Sequence, residues 1–189
     1  MFAKFTAAVA AVCLLAGPAF AQNEKPTDPQ IAHIAYTAGA IDVTAGKQAI
    51  SKATNKDVIA FANDMVRDHE AVNKQALDLL GKLKVKPEDN DTSRSLARQA
   101  ADKQTELSKL SGAAYDKAYV ANEIAFHKTV NGALETLLIP SANNPELKSL
   151  LQTGLKIFQG HLQHAEQVAA ALKEQQETSK ESHIVPGRN

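Results

Sequence analysis

Cysteine, runs of one charge, long apolar stretches and glycine-rich loops are all scarce in this 189-residue chain, and each scarcity removes a class of function. The single cysteine, Cys13, lies inside an apolar run near the start, so a chain relieved of that run has no disulfide, no thiolate ligand and no cysteine nucleophile. Lys plus Arg number 21, Asp plus Glu also number 21, and no basic run interleaves with aromatics. That balance leaves no electrostatic footprint for a nucleic-acid partner. Beyond the first 21 residues nothing reaches the ~20 consecutive apolar residues that a membrane-spanning helix needs. A Gly-rich phosphate loop and a nucleophile elbow are both missing, which removes the commonest nucleotide and acyl-transfer signatures.

What is present begins with an export signal. Residues 1–21 contain Lys4, an apolar run through Leu15, Pro18 and the small-residue site Ala19-Phe20-Ala21, and together they predict cleavage near Ala21 and a periplasmic or secreted protein. Cys13 makes a poor lipobox, so cleavage is favoured over lipidation. The remaining stretch of about 168 residues suits one domain with a single core. After Leu172 the composition turns to Glu, Gln, Lys and Ser, which sets the expected domain at residues 22–175 and a flexible tail at 176–189.

Helical periodicity organises the domain. Ile31, Ala35, Ala38, Asp42, Ala45 and Ala49 recur three or four apart, after a start at Asp28-Pro29 where Asp28 is placed to cap. Thr54 and Asn55 end that helix. The next one carries Ala62, Met65, His69, Val72, Ala76 and Leu80 on one face and stops near Lys84, Lys86 and Pro87. The segment from Ser93 to Leu110 is polar and has a thin stripe of Leu96, Leu107 and Leu110, as expected of a peripheral helix. Asn90-Asp91-Thr92 before it spells a glycosylation acceptor but reads better as a cap by Asp91 or Thr92. From Ala113 to about Ile139 two adjacent stripes run through Tyr115, Tyr119, Phe126 and Val130 and through Val120, Ile124, His127 and Leu134. Pro140 to Asn144 is the expected loop. Asn144-Pro145 then opens the cleanest repeat, Leu147, Leu151, Gly154, Phe158, His161, Ala165, Val168 and Leu172.

Each of the four main helices therefore places one polar side chain in its inward stripe: Asp42, His69, His127 and His161. Asp42 and His69 lie about 13 and 14 residues from Asn55, and at ~1.5 Å rise per residue that sets them within a turn of each other across the first hairpin. His127 and His161 lie about 12 and 16 residues from their shared loop, again within about a turn. Unpaired polar groups in a core cost several kcal/mol each, so four at one level need a reason. One reason is a metal centre for zinc, or for iron with an open position, with three imidazole nitrogens and a carboxylate as ligands. The other is a closed structural network in which Asp42 accepts from one histidine while Tyr119, Asn131 or water serve the rest. Both stand open on the sequence. No Glu-x-x-His pair of the di-iron carboxylate type is present; the nearest approach, Glu123 to His127, supplies one further candidate ligand. Asp68 reads as a solvated or interhelical ion-pair residue, His164 as an exposed flank, and Tyr115 and Tyr119 as core residues with a hydroxyl handle.

Three stretches carry a resemblance: VIAFANDMVRDHEAVNKQALDLL, LSGAAYDKAYVANEIAFHKTV and NPELKSLLQTGLKIFQGHLQHAEQV, with a weaker match around Gly39 to Ala49. The chain resembles a family of exported bacterial proteins of unknown function, often labelled membrane or outer-membrane proteins, to which a ferritin-like four-helix fold is assigned. Asp68-His69, the Tyr115-Asp116-x-x-Tyr119 run ending at His127, and His161-Leu162 are its most specific marks. Family members more often have Glu in place of Asp42 and Phe in place of Tyr115. The resemblance implies fold and export and supplies no activity. The resulting expectation is all-α: a ferritin-like antiparallel up-down-up-down four-helix bundle with an extra peripheral helix between its second and third members. It is expected to bind a transition metal, zinc or iron, through Asp42, His69, His127 and His161 with Glu123 as a further ligand. The alternatives are a non-catalytic structural or partner-binding envelope stress protein and, third, an oxidoreductase using a bound iron.

Overall fold

A computed structural model describes residues 25–184, with side chains to Thr178. The export signal expected at residues 1–21 lies outside the described residues. All described secondary structure is helical: α1 (Asp28–Lys52), α2 (Lys56–Leu83), α3 (Asp91–Ser108), α4 (Gly112–Ala133), a π-helical turn (Leu134–Leu138), α5 (Ile139–Ser141) and α6 (Pro145–Ile184). None of these helices is long and apolar enough to cross a membrane. Helical backbone continues past residue 175, where the polar tail was expected to begin, as far as Ile184; residues 185–189 lie outside the described residues.

The helix starts follow capping chemistry, with two shifts from expectation. Thr27, not Asp28, is the N-cap of α1, and Gln30 Oε1 accepts from Thr27 N at 3.1 Å. This frees Asp28 to accept from Asn143 N and Asn144 N, at 2.8 and 2.9 Å, and so to tie the start of α1 to the start of α6. The N-cap of α3 is Asn90, whose side chain accepts from Ser93 N at 3.0 Å, one residue before the capping pair expected there. Asn144 caps α6 as expected and Asn55 caps α2, each side chain accepting from the second and third residues that follow.

Pro140 accounts for another difference. The expected loop from Pro140 is helical to Ser141, and the turn before it opens to a π-helix. Proline has no N–H, and its ring crowds the carbonyl four residues back, so widening that turn lets the helix pass the proline without breaking.

Chain direction is fixed by contacts at the helix ends. α3 runs alongside α1 in the same sense: Asn90 Nδ2 donates to Gln30 O (3.4 Å) near one end and Gln48 Nε2 to Gln104 O (3.3 Å) near the other. Its 18 residues span about 27 Å, enough to return the chain to the far end of α1. There Asp116, buried at the start of α4, accepts from Thr54 N at 3.0 Å, Thr54 Oγ1 at 2.8 Å and Asn55 N at 3.0 Å. The four main helices therefore run up, down, down, up in chain order, which corrects the alternating order expected from a peripheral helix that did not change the direction of travel. Neighbours α1 and α2, α2 and α6, α6 and α4, and α4 and α1 are all antiparallel.

Small residues on α1 permit its close approach to α2. A Cβ at Gly46 would lie 2.8 Å from Val66 Cγ2 and 3.1 Å from Ala62 O. The eight stripe residues of α6 from Leu147 to Leu172 are all buried, as their spacing predicts. The apolar core falls into two halves: Ala49, Phe61, Met65, Tyr119 and Val168 belong to one, and Ile31, Leu80, Leu134, Leu151 and Phe158 to the other. Between them lies a polar layer.

Candidate metal centre

α1, α2, α4 and α6 deliver the polar layer from four sides. Asp42 is 3% exposed, His69, Glu123 and His127 are 1% exposed, and His161 is 6% exposed. Asp42, His69, His127 and His161 thus converge as their heights predict, and Glu123 joins them because residues four apart on α4 share a face with His127. The imidazole centroids lie 5.7 Å apart for His69 and His127, 5.1 Å for His69 and His161, and 5.7 Å for His127 and His161. One nitrogen from each ring fits within a 4.8 Å span, and so does the set of one atom each from Asp42, Glu123 and His127. Phe158 closes the layer from below, stacked on His69 at 4.6 Å with the planes 9° apart.

Hydrogen bonds at the back of two rings fix which nitrogen faces inward. His127 Nδ1 donates to the Glu123 backbone oxygen one turn earlier at 3.0 Å, which leaves a lone pair on Nε2. His161 Nε2 donates to Asp68 Oδ2 at 3.0 Å, which leaves the lone pair on Nδ1. Arg67 in turn holds the Asp68 carboxylate, through Nε at 2.7 Å and Nη2 at 3.0 Å. That hydrogen bond with Arg67, aided by His161, lowers the Asp68 pKa from its ordinary value. A carboxylate behind an imidazole is how ligating histidines are commonly oriented. His69 Nε2 comes within 3.4 Å of Asp42 Oδ2 but lacks hydrogen-bond geometry.

Among the described residues, His127 Nε2, His161 Nδ1, both nitrogens of His69, Asp42 Oδ1 and Glu123 Oε2 have no hydrogen-bond partner. The same holds for the Tyr119 hydroxyl and both amide atoms of Asn131, the groups that a closed network would have used. Burial dominates the titration of the layer. It pulls His69 down to about 2, helped by His127 and His161, and His127 down to about 4. Both rings are therefore neutral at pH 7 and present lone pairs. Burial also raises Asp42 well above its ordinary value, reinforced by neighbouring Glu123, and lifts Glu123 to about 7. Two carboxylates this close resist joint ionisation and share a proton.

Of the two readings open for Asp68, solvated or interhelical, the structure selects the interhelical one. Its ion-pair character holds, but it points across the α2–α6 seam at His161 and orients that ring. The signal was its position directly before His69, which aims the two side chains at different neighbours. His164, three residues after His161, is 41% exposed and lies 3.9 Å from Asp64.

Residues 15–168 match the family model described as "Domain of unknown function (DUF4142)", a span that includes all five residues of the polar layer. No curated protein matches the chain. A solved structure, the crystal structure of a DUF305 fragment from Deinococcus radiodurans, aligns with 78% of this chain and 99% of its own at a TM-score of 0.65 and 16% identity. At that identity the likeness is one of fold alone.

Proposed function

Since the chain belongs to DUF4142, a family that carries a domain but no assigned activity, its chemistry has to come from its own residues, and we propose that it is a transition-metal-binding helical bundle. His69, His127 and His161 supply the nitrogen ligands, and Asp42 and Glu123 supply oxygen. The observation that carries this reading is the set of inward lone pairs without partners, two of them on rings whose other nitrogen is already committed to a carbonyl or a carboxylate. A network closed between protein groups, through Tyr119 and Asn131, would satisfy those atoms internally. The described bonds do not.

The donor set suits zinc, or iron with an open coordination position, since three imidazole nitrogens and a carboxylate match both ions. In the same reading the architecture is ferritin-like: α3 provides one long crossover between two helical hairpins, the connection typical of such bundles. The ligands nevertheless differ from a di-iron carboxylate site, which draws on four Glu and two His. We read the centre as mononuclear and histidine-rich, in an exported protein whose destination rests on the signal-like residues 1–21. A binding or storage role fits this set better than turnover, because both aromatic and aliphatic side chains seal the layer above and below.

Elemental analysis of tag-free mature protein, beside His127→Ala, tests the proposal. Stoichiometric zinc or iron in the parent and its loss in the variant is the expected result. Absence of metal from the parent after loading with either ion, with the variant merely less stable, overturns it.

A further inference from the structure

A centre sealed in the middle of a bundle needs a route for its ion, and the two sides of the polar layer differ sharply in what they offer. On the α1–α4 side, under α3, lies a groove of about 820 Å³ whose charged lining includes Arg98 and Lys103. Its carboxylate, Asp91, is held by Arg94 Nη2 at 2.6 Å. That side repels a cation.

The α2–α6 seam is the reverse. Asp64, Arg67 and Asp68 stand at helical spacing on α2, opposite His161 and His164 on α6. Side-chain exposure falls steadily inward, from 41% at His164 and 37% at Asp64, through 28% at Asp68 and 8% at His161, to 2% at His69. His164 is set against Phe61 edge-on at 5.1 Å and lies 3.9 Å from Asp64. Arg67, itself 66% exposed, bridges both carboxylates, 2.7 Å from Asp64 Oδ1 and 2.7 Å from Asp68 Oδ1. His161 spans the wall, with Nε2 on Asp68 and the unpartnered Nδ1 facing the centre.

We propose that this seam is the loading route of the centre: a divalent cation is captured at the surface by Asp64, Asp68 and His164, displaces the Arg67 guanidinium that holds the two carboxylates, and passes inward by way of His161. The inference rests on the metal-binding reading above. Capture is an exchange of one cationic partner for another, so Arg67 acts as a latch. Removing the carboxylate slows entry, and removing the arginine hastens it. Two opposite signs from adjacent residues are not what a purely structural ion pair gives.

Cobalt(II) uptake by the metal-free full chain, followed through its visible d–d absorption, provides the test. Asp64→Asn combined with His164→Gln should slow uptake about tenfold, within the range that electrostatic steering commands, and reach the same final absorbance as the parent. Arg67→Ala should speed it several-fold, and the parent rate should fall with added salt more than that of the Asp64→Asn, His164→Gln variant. Full cobalt occupancy with unchanged rates in both variants overturns the route and leaves the centre standing. Slower uptake in Arg67→Ala does the same, whereas a parent that takes up no cobalt at all overturns the centre and the route together.

Discussion

Replacing His69 by leucine should stabilise the metal-free protein. His69 is 1% exposed, and neither ring nitrogen has a hydrogen-bond partner among the described residues, so the substitution gives up no hydrogen bond. A buried unsatisfied polar group costs about 1–3 kcal/mol, and leucine of similar volume removes that penalty. Against it stands the stacking of His69 on Phe158 at 4.6 Å, and aromatic pairs contribute about 0.5–1.5 kcal/mol. The expected net gain is about 1 kcal/mol at pH 7, or a rise in Tm of about 2–4 °C for a domain of this size. The gain should grow in acid. An unfolded imidazole takes its proton near its ordinary value of 6.5, while the buried one resists until about 2. Across that window the unfolded state binds more protons, so parent stability falls as pH falls, and the leucine variant escapes this loss. At pH 5 the difference should widen by about 2 kcal/mol. Thermal unfolding by circular dichroism after chelation, at pH 7 and pH 5, measures both. A lower Tm for the variant at pH 7, or an advantage that does not grow toward pH 5, would show that His69 belongs to a satisfied structural network.

Burial keeps the Glu123 proton in place up to about 7, so on the metal-binding proposal an incoming ion has to displace it. Apparent zinc affinity should rise with pH by up to about tenfold per unit for each proton displaced, and the rise should continue past 7 while Asp42, raised by burial and by Glu123, keeps its proton, with proton release visible by titration calorimetry in two buffers of different ionisation heat. Asp116→Ala should cost about 2–4 kcal/mol, because it strips the partner from three donors at the α1–α2 turn; denaturant unfolding reads the loss, and metal stoichiometry should be unchanged. Gly46→Ala should cost about 1–3 kcal/mol through overpacking against Val66 and the Ala62 carbonyl, and a neutral result would mean that α1 and α2 separate freely.

The polar layer was unusually legible because each main helix broke its apolar stripe once. A lone histidine in a core says little, but Asp42, His69, His127 and His161 sit at matching distances from their loops, and helical rise converts those distances into height. Glu123 was visible only as a neighbour of His127, since its own inward position depends on how α4 is rotated. Asp68 could be read as a solvated or an interhelical ion-pair residue, and only the structure decides for the interhelical one, because the partner, His161, is 93 residues away.

Periodicity and capping residues determined on their own that this is an all-helical domain with a polar layer at mid-height, since helix pitch and the spacing of apolar residues are local properties of the chain. Only the tertiary structure decided the order of helices and the aim of each ring. α3 had to be seen crossing the length of α1 before the direction of α4 was known, and a carboxylate from a distant helix sets the inward nitrogen of His161. Both depend on contacts between segments far apart in sequence, which no local pattern encodes.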